Sequence, residues 1–130
     1  MTQLRILIVD DHDVIRGGLR SLLESRPNWE VCGEATSSLQ AVEQAKALRP
    51  DVVVLDISMP GSSGLEAIPA IRRETPRPDV VILSRYEERE MRDKAIEAGA
   101  RDYISKSQAL ARDLLQAIDS IVRERAALPG

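Results

Sequence analysis

Ile6-Leu7-Ile8-Val9-Asp10-Asp11-His12 is a run of four apolar residues, three of them β-branched, closed by two adjacent carboxylates and a histidine. An apolar run of this length without polar alternation is expected of a parallel strand covered on both faces. Val52-Val53-Val54-Leu55 and Val80-Val81-Ile82-Leu83 repeat the pattern, and each again ends on a polar residue, Asp56 and Ser84 respectively. Trp29 to Ala35 alternates instead, as an edge strand does, and Tyr103-Ile104 forms a short fifth run shortly before Lys106.

Segments with helical spacing separate these runs. Ile15, Leu19, Leu22 and Leu23 form one apolar stripe, Val42, Ala45 and Leu48 a second, and Leu65, Ile68 and Ile71 a third. The fourth segment, Glu87 to Ala98, is mostly charged with Met91, Ala95 and Ala98 as a narrow apolar edge, and Gly99 supplies its stop. The fifth, Ala109 to Ala126, carries Leu110, Leu114, Ala117, Ile118, Ile121 and Val122. That stripe is wide enough to cover a sheet and meet a partner, so this last helix is a candidate homodimer interface. Pro69 falls inside the third helix and removes one backbone donor, which predicts a kink or a late start there.

Strict alternation of strand and helix with short connectors implies an α/β fold: an open, doubly wound, five-stranded parallel sheet with five helices, because parallel neighbours need right-handed helical crossovers. The 130 residues suffice for one compact domain that buries about two thirds of its unfolded surface. Phe is absent and Trp29, Tyr86 and Tyr103 are the only aromatics, so the core is expected to be aliphatic. A net charge of -3 with both signs interspersed gives no electrostatic reason to seek a nucleic-acid backbone. Cys32, the single cysteine, excludes an internal disulfide and is expected to be a small buried hydrophobe in a reducing compartment. The apolar start is too short for a signal sequence or a membrane span, which predicts a cytoplasmic protein without membrane contact.

In open parallel sheets, ligands bind beyond the carboxyl ends of the strands, and the carboxylates of this sequence fall there: Asp10 and Asp11 after the first, Asp56 after the third. Two carboxylates about 5 Å apart repel by roughly 3 kcal/mol at an effective dielectric of about 20, so three converging acids call for a cation or raised pKa values. An all-oxygen set with no histidine or thiol pairs favours Mg²⁺. Ser84 and Lys106 bring a hydroxyl and an ammonium to the same rim. Nucleophilic acid, metal-binding acids and donors for phosphoryl oxygens are the groups needed to move a phosphoryl group onto a carboxylate.

Asp10-Asp11, Asp56, Ser84 and Lys106, with Met59-Pro60-Gly61 and Gly64 after the central acid, resemble the receiver domains of two-component response regulators from about Leu4 to Val122. Val9-Asp10-Asp11-His12, the stretch Met59 to Glu66, and Ala98-Gly99-Ala100-Arg101-Asp102-Tyr103 look like the NarL/FixJ, or LuxR-type, branch. The resemblance implies a flavodoxin-like strand order 2-1-3-4-5, with residues 1–124 as the receiver and 125–130 as the start of a linker. It implies that Asp56 accepts phosphate from a sensor histidine kinase, that Asp10, Asp11, Asp56 and the carbonyl of Ser58 hold Mg²⁺, and that Ser84 and Lys106 contact the phosphoryl oxygens. Ser84 and Tyr103 take the places of the family's switch pair, and DNA would be met only through a C-terminal helix-turn-helix domain outside this chain. Arg85 stands where many relatives have a smaller residue, so it is a candidate for modulating access to the site.

Blander readings accompany each of these residues. Asp10-Asp11 taken alone is an acid pair favoured by a helix dipole, Lys106 a solvated lysine, Ser84 a strand-end cap, Tyr103 edge packing and His12 a solvent-facing residue at a helix start. Gly61 and Gly64 read as loop geometry, since no lysine and hydroxyl follow in a phosphate-loop pattern. Among rival functions, a haloacid dehalogenase-type phosphatase needs a second acid two residues after its nucleophile, where Ser58 stands. A flavodoxin-like cofactor binder lacks stacking aromatics and a phosphate cradle. A receiver used only for docking has no need of the full acid, hydroxyl and ammonium set, so the chain is expected to be a phosphoacceptor and not a turnover enzyme.

Overall fold

A computed structural model describes residues 3–59, 64–74, 77–85 and 89–127. Strand β1 (Leu4–Val9) leads to helix α1 (Asp13–Glu24), β2 (Trp29–Ala35) to α2 (Ser38–Leu48), and β3 (Val52–Asp56) to α3 (Gly64–Arg72). Strand β4 (Asp79–Ser84), α4 (Arg89–Ala98), β5 (Asp102–Ser105) and α5 (Leu110–Ala127) complete the chain. All pairings are parallel and the order is β2-β1-β3-β4-β5, the doubly wound, flavodoxin-like arrangement expected.

The apolar runs build two half-cores because side chains alternate faces along a strand. Leu7, Val9, Val53, Leu55, Val80 and Ile82 point to one side, where Ala41, Ala45, Ala67, Ile68, Ile71 and Ala95 of α2, α3 and α4 close over them. Ile6, Ile8, Val52, Val54, Val81 and Leu83 point to the other, under Leu19 and Leu23 of α1 and Leu114, Ile118 and Ile121 of α5. Each fully buried aliphatic side chain of this kind contributes about 1.5–3 kcal/mol from burial.

The structure fills in several of these local expectations and corrects the one for Cys32. Leu114, Ala117, Ile118 and Ile121 of α5 are buried against the domain's own sheet, and Leu110, Leu115 and Val122 pack on the margin of the same half-core, partly buried. The helix passes residue 124 and continues to Ala127, with Arg125 donating to the Asp51 carbonyl at 3.0 Å and to Asp79 Oδ2 at 3.2 Å. Cys32 is half-buried, not enclosed: the β1–β2 register shifts between Ile6 and Leu7, which pair with Val31 and Gly33, leaving Cys32 as the extra residue of a bulge on the edge strand. Burial still pushes its thiol pKa up.

Pro69 lies on the exposed side of α3 without ending it, since the Arg73 N–H reaches the Pro69 carbonyl at 3.1 Å. Helix α4 stops as expected: Gly99 takes φ +118, and the Gly99 and Ala100 N–H groups return to the carbonyls of Ile96 and Ala95 at 3.0 Å each. Pro60, Gly61, Ser62 and Ser63, the expected α4 start at Glu87, Tyr86 and the last residues Leu128-Pro129-Gly130 lie outside the described residues.

Gly64 is required by close approach. A Cβ there would stand 2.9 Å from Ile57 Cα and 2.6 Å from Ile57 Cγ2, a clash with backbone that no rotamer change relieves. Gly64→Ala is therefore expected to destabilise the domain by about 1–3 kcal/mol, read as a lower urea midpoint at unchanged slope; an unshifted midpoint would contradict the contact.

Candidate functional site

Asp10, Asp56 and Ser84 are the buried polar side chains among the described residues, and each sits at the carboxyl end of a central strand. The flanking apolar residues are packed on both faces, so the strands hold these three groups in place as rigidly as the core itself. Asp10 is held further: its N–H donates to the Ala35 carbonyl at 3.0 Å, and its Oδ1 accepts the His12 N–H at 2.9 Å. Asp56 Oδ1 accepts the Ser58 N–H at 2.8 Å in the same local geometry.

Lys106 joins the two strand ends. Its N–H donates to the Ser84 carbonyl at 2.7 Å, which carries the side chain back over the rim, and Nζ lies 3.0 Å from Asp10 Oδ2 and 3.0 Å from Asp56 Oδ2. Burial pushes the Asp10 pKa up, but the His12 N–H, the Lys106 ammonium and the Asp56 carboxyl outweigh it and hold Asp10 below its ordinary value. Asp11 is less covered, yet its Oδ1 is shielded from water and receives no hydrogen bond; His12 Nδ1 stands 3.0 Å away outside hydrogen-bonding geometry.

A shielded carboxylate oxygen without a donor costs free energy unless something else satisfies it. One ammonium shared by the carboxylates of Asp10 and Asp56, with the Asp11 carboxylate beside Asp10, leaves negative charge uncompensated. A carboxylate-rich rim with an orphaned lone pair and an excess of negative charge fits a hard divalent cation. Asp10, Asp11 and His12 each offer a ligand atom, and these lie within 4.8 Å of one another. Asp56 joins Asp10 through Lys106 and stands outside that cluster, and Ser58 is fixed by its N–H on Asp56 and by its Oγ, which accepts the Arg85 N–H at 3.2 Å. Sequence reasoning set His12 aside as solvent-facing. Its side chain is half-exposed, and only its adjacency to the acid pair signalled the contact.

Tyr103 is buried on the half-core beneath α4, its N–H on Asp102 Oδ1 at 2.8 Å and its carbonyl 3.5 Å from Arg92 Nη1. In the β4–β5 register Ile82 pairs with Tyr103 and Ser84 with Ser105, so the expected switch pair sits on neighbouring strands, offset by one pleat. Arg85 is exposed at the end of β4. Next to Tyr103, a groove of about 530 Å³ opens between α4, β5 and α5, walled by Arg89, Arg92, Asp102, Ser105, Asp113 and Gln116.

A parallel sheet in this order, with acids, a buried hydroxyl and an ammonium gathered at one rim, defines a receiver-type signalling domain. Residues 6–119 match the family model of the response regulator receiver domain, and the chain belongs to that family. It is 38% identical over 115 residues to the response regulator GacA of Pseudomonas viridiflava, covering 88% of this chain and 53% of that protein. It is also 38% identical over 132 residues to a protein-glutamate methylesterase/protein-glutamine glutaminase of Pyrococcus abyssi, covering 98% of this chain and 36% of that protein. The crystal structure of a LuxR-family two-component response regulator from Aurantimonas sp. SI85-9A1 superposes with a TM-score of 0.87 at 36% identity, covering 95% of this chain and 87% of that one. The chain thus spans about half the length of one curated relative and about a third of the other. Phosphorylation and Mg²⁺ binding are typical of the family.

Removing the shared ammonium exposes the charge imbalance directly. In metal-free buffer at neutral pH, Lys106→Met is expected to lose on the order of 3 kcal/mol, because two buried carboxylates lose their common partner. Asp56→Asn is expected to be at least as stable as the wild type. An acid held below its ordinary pKa stabilises the fold above that range and stops doing so as pH falls through its folded value, so the Lys106→Met deficit shrinks on acidification. Chemical denaturation across pH checks both; equal stabilities of wild type and Lys106→Met at pH 7 would contradict the pairing.

Proposed function

We propose that this receiver domain accepts a phosphoryl group on Asp56 from the phosphohistidine of a sensor histidine kinase and uses it to alter the surface around α4, β5 and α5. The observation that carries this reading is the placement of Lys106 Nζ 3.0 Å from both Asp10 and Asp56, which joins groups 96 and 50 residues away in the chain into one rim. In the transfer the Asp56 carboxylate attacks phosphorus, the bond from phosphorus to the histidine nitrogen breaks, and the nitrogen keeps the electron pair. Asp10, Asp11, Asp56 and the Ser58 carbonyl would hold Mg²⁺, with His12 beside the acid pair. Bound there, the ion neutralises charge developing on the phosphoryl oxygens.

The remaining steps belong to the protein's own side chains. Lys106 exchanges its contact with Asp56 for a phosphoryl oxygen, and the Ser84 hydroxyl turns toward another. Charge-assisted hydrogen bonds contribute about 1.5–3 kcal/mol each, and roughly 5.5 kcal/mol turns a 1:99 equilibrium into 99:1, so two or three new contacts suffice. Tyr103, already buried on the strand beside Ser84, then packs differently against α4 and reshapes the adjoining groove.

That groove is the partner surface favoured here. A homodimer through α5 has lost its apolar motive, since the large exposed hydrophobic residues among those described are Val14, Leu39 and Ile96, none of them on α5. The domain would work as a phosphoacceptor in the cytoplasm, the receiver unit running through α5 to Ala127. Its output would be transcription through a separate helix-turn-helix domain, as the similarity to GacA and to a LuxR-family regulator suggests. The methylesterase relative points to a different output on a similar receiver.

Acetyl phosphate with Mg²⁺, read by intact mass, is expected to add one phosphoryl group to the wild type and none to Asp56→Asn. Continuous turnover of phosphoesters would point to a phosphatase instead, and absence of modification with any donor to a docking module.

Arg85 would limit the approach of water and of the kinase to this rim, its long cation standing exposed beside the hydroxyl of Ser58 that anchors its backbone. Arg85→Ala is expected to change the lifetime of the phosphorylated form, measured as loss of the mass increment over time; an identical lifetime would remove Arg85 from the mechanism.

A further inference from the structure

The main chain that carries Asp10 and Asp11 is tied to the edge strand by one side chain on α1. Arg16 lies one helical turn beyond His12, and its own N–H closes the first helical bond onto the His12 carbonyl at 3.0 Å. Its side chain is only 13% exposed. The guanidinium spends three donor positions: Nη1 on the Asp10 carbonyl at 2.7 Å, Nε on Glu34 Oε1 at 2.9 Å, and Nη2 on Asp13 Oδ1. Glu34 is itself a fixed post. It stands on β2 opposite Ile8, and its second oxygen takes two bonds from Arg20, from Nε at 3.0 Å and Nη2 at 2.7 Å.

The Asp10 carbonyl belongs to the peptide that joins Asp10 to Asp11. Rotation of that peptide would move the Asp11 carboxyl, with its orphaned Oδ1, relative to the Asp10 carboxyl. The other side of Asp10 is already held, its N–H on the Ala35 carbonyl. We infer that Arg16 is a positioning residue for the acidic pocket, fixing the Asp10–Asp11 peptide against Glu34 so that the two carboxylates present a preformed cation site. This rests on the reading of the rim as a cation-binding phosphoacceptor pocket and adds to it a contact from outside the rim.

A planar fork is needed for this task. Lysine carries one nitrogen at the end of a flexible stem and cannot span the carbonyl and the carboxylate in fixed directions. Arg20 provides an internal comparison, because it shares Glu34 and lies one turn away yet makes no hydrogen bond to Asp10. Loss of either arginine weakens the α1–β2 seam, but only loss of Arg16 frees the peptide of the acid pair.

The test is calorimetric titration of the whole 130-residue chain with magnesium chloride alone, in the wild type, Arg16→Ala, Arg16→Lys and Arg20→Ala, beside urea unfolding of each and acetyl phosphate labelling of Asp56. Removal of groups that orient metal ligands typically weakens metal binding by about 10- to 100-fold, and a loss of that size is expected for both Arg16 variants. Arg20→Ala is expected to keep its magnesium affinity within about twofold of wild type, below the range such contacts command, while losing stability comparable to Arg16→Ala. Arg16→Lys guards against a variant that fails to fold. Magnesium affinities that fall equally for Arg16 and Arg20 variants, or that do not fall for Arg16, would overturn the inference while leaving the pocket intact. A wild type that neither binds magnesium nor takes phosphate on Asp56 would overturn the pocket and the inference together.

Discussion

One ammonium set between two buried carboxylates is the constraint around which this molecule is arranged. Lys106 Nζ lies 3.0 Å from Asp10 and 3.0 Å from Asp56, and neither acid has appreciable contact with water. Charges taken from water into such a place are stable only when paired and hydrogen-bonded. Each acid therefore has a backbone N–H on its other oxygen, and the lysine is delivered by a main-chain bond to Ser84. The rigidity of the parallel sheet makes this feasible, because strands β1, β3 and β4 are packed on both faces and their ends have nowhere to drift.

The fold was legible in the sequence because its strands are buried on both sides. An apolar run with no polar alternation has few homes other than the centre of a parallel sheet, and the residue that ends it must lie at the rim. Asp10, Asp56 and Ser84 were found by that logic alone, before any family likeness was brought in. Gly99 was equally readable, since a glycine after a helix anticipates the left-handed stop that the structure contains.

What could not be read were relations between side chains that sequence spacing does not encode. The α5 stripe looked wide enough for a partner, but width in sequence does not say how far a neighbouring sheet extends, and Leu110, Leu115 and Val122 turn out to lie against the domain's own half-core. Cys32 looked interior because the bulge that turns it outward depends on the partner register of β1, a property of two strands and not of one. Arg16 and Glu34 stand 18 residues apart, and nothing in that spacing announces their 2.9 Å contact between α1 and β2. His12 reads as a solvent-facing residue at a helix start, and its side chain is exposed, with Nδ1 resting beside the acid pair.

The same charge economy explains why a site like this can act as a switch. The rim is left with more negative than positive charge and with one shielded oxygen on Asp11 that accepts no hydrogen bond, so in the proposed reading the resting state is incompletely stabilised by its own side chains. A cation and a phosphoryl group would each relieve part of that imbalance, and they draw on the same two residues, Lys106 and Ser84, that now tie the strand ends together. In that reading, side-chain contacts of Lys106 and Ser84 with an incoming group would act at the end of the β4–β5 ladder, and Tyr103 sits one pleat away on β5 with α4 packed over it. Among the described residues, α4 buries a single side chain completely, Ala95. If the proposed switch operates, the element that would receive it is the one with least apolar burial to resist it, which is the condition for a local electrostatic event to be read out as a movement of surface.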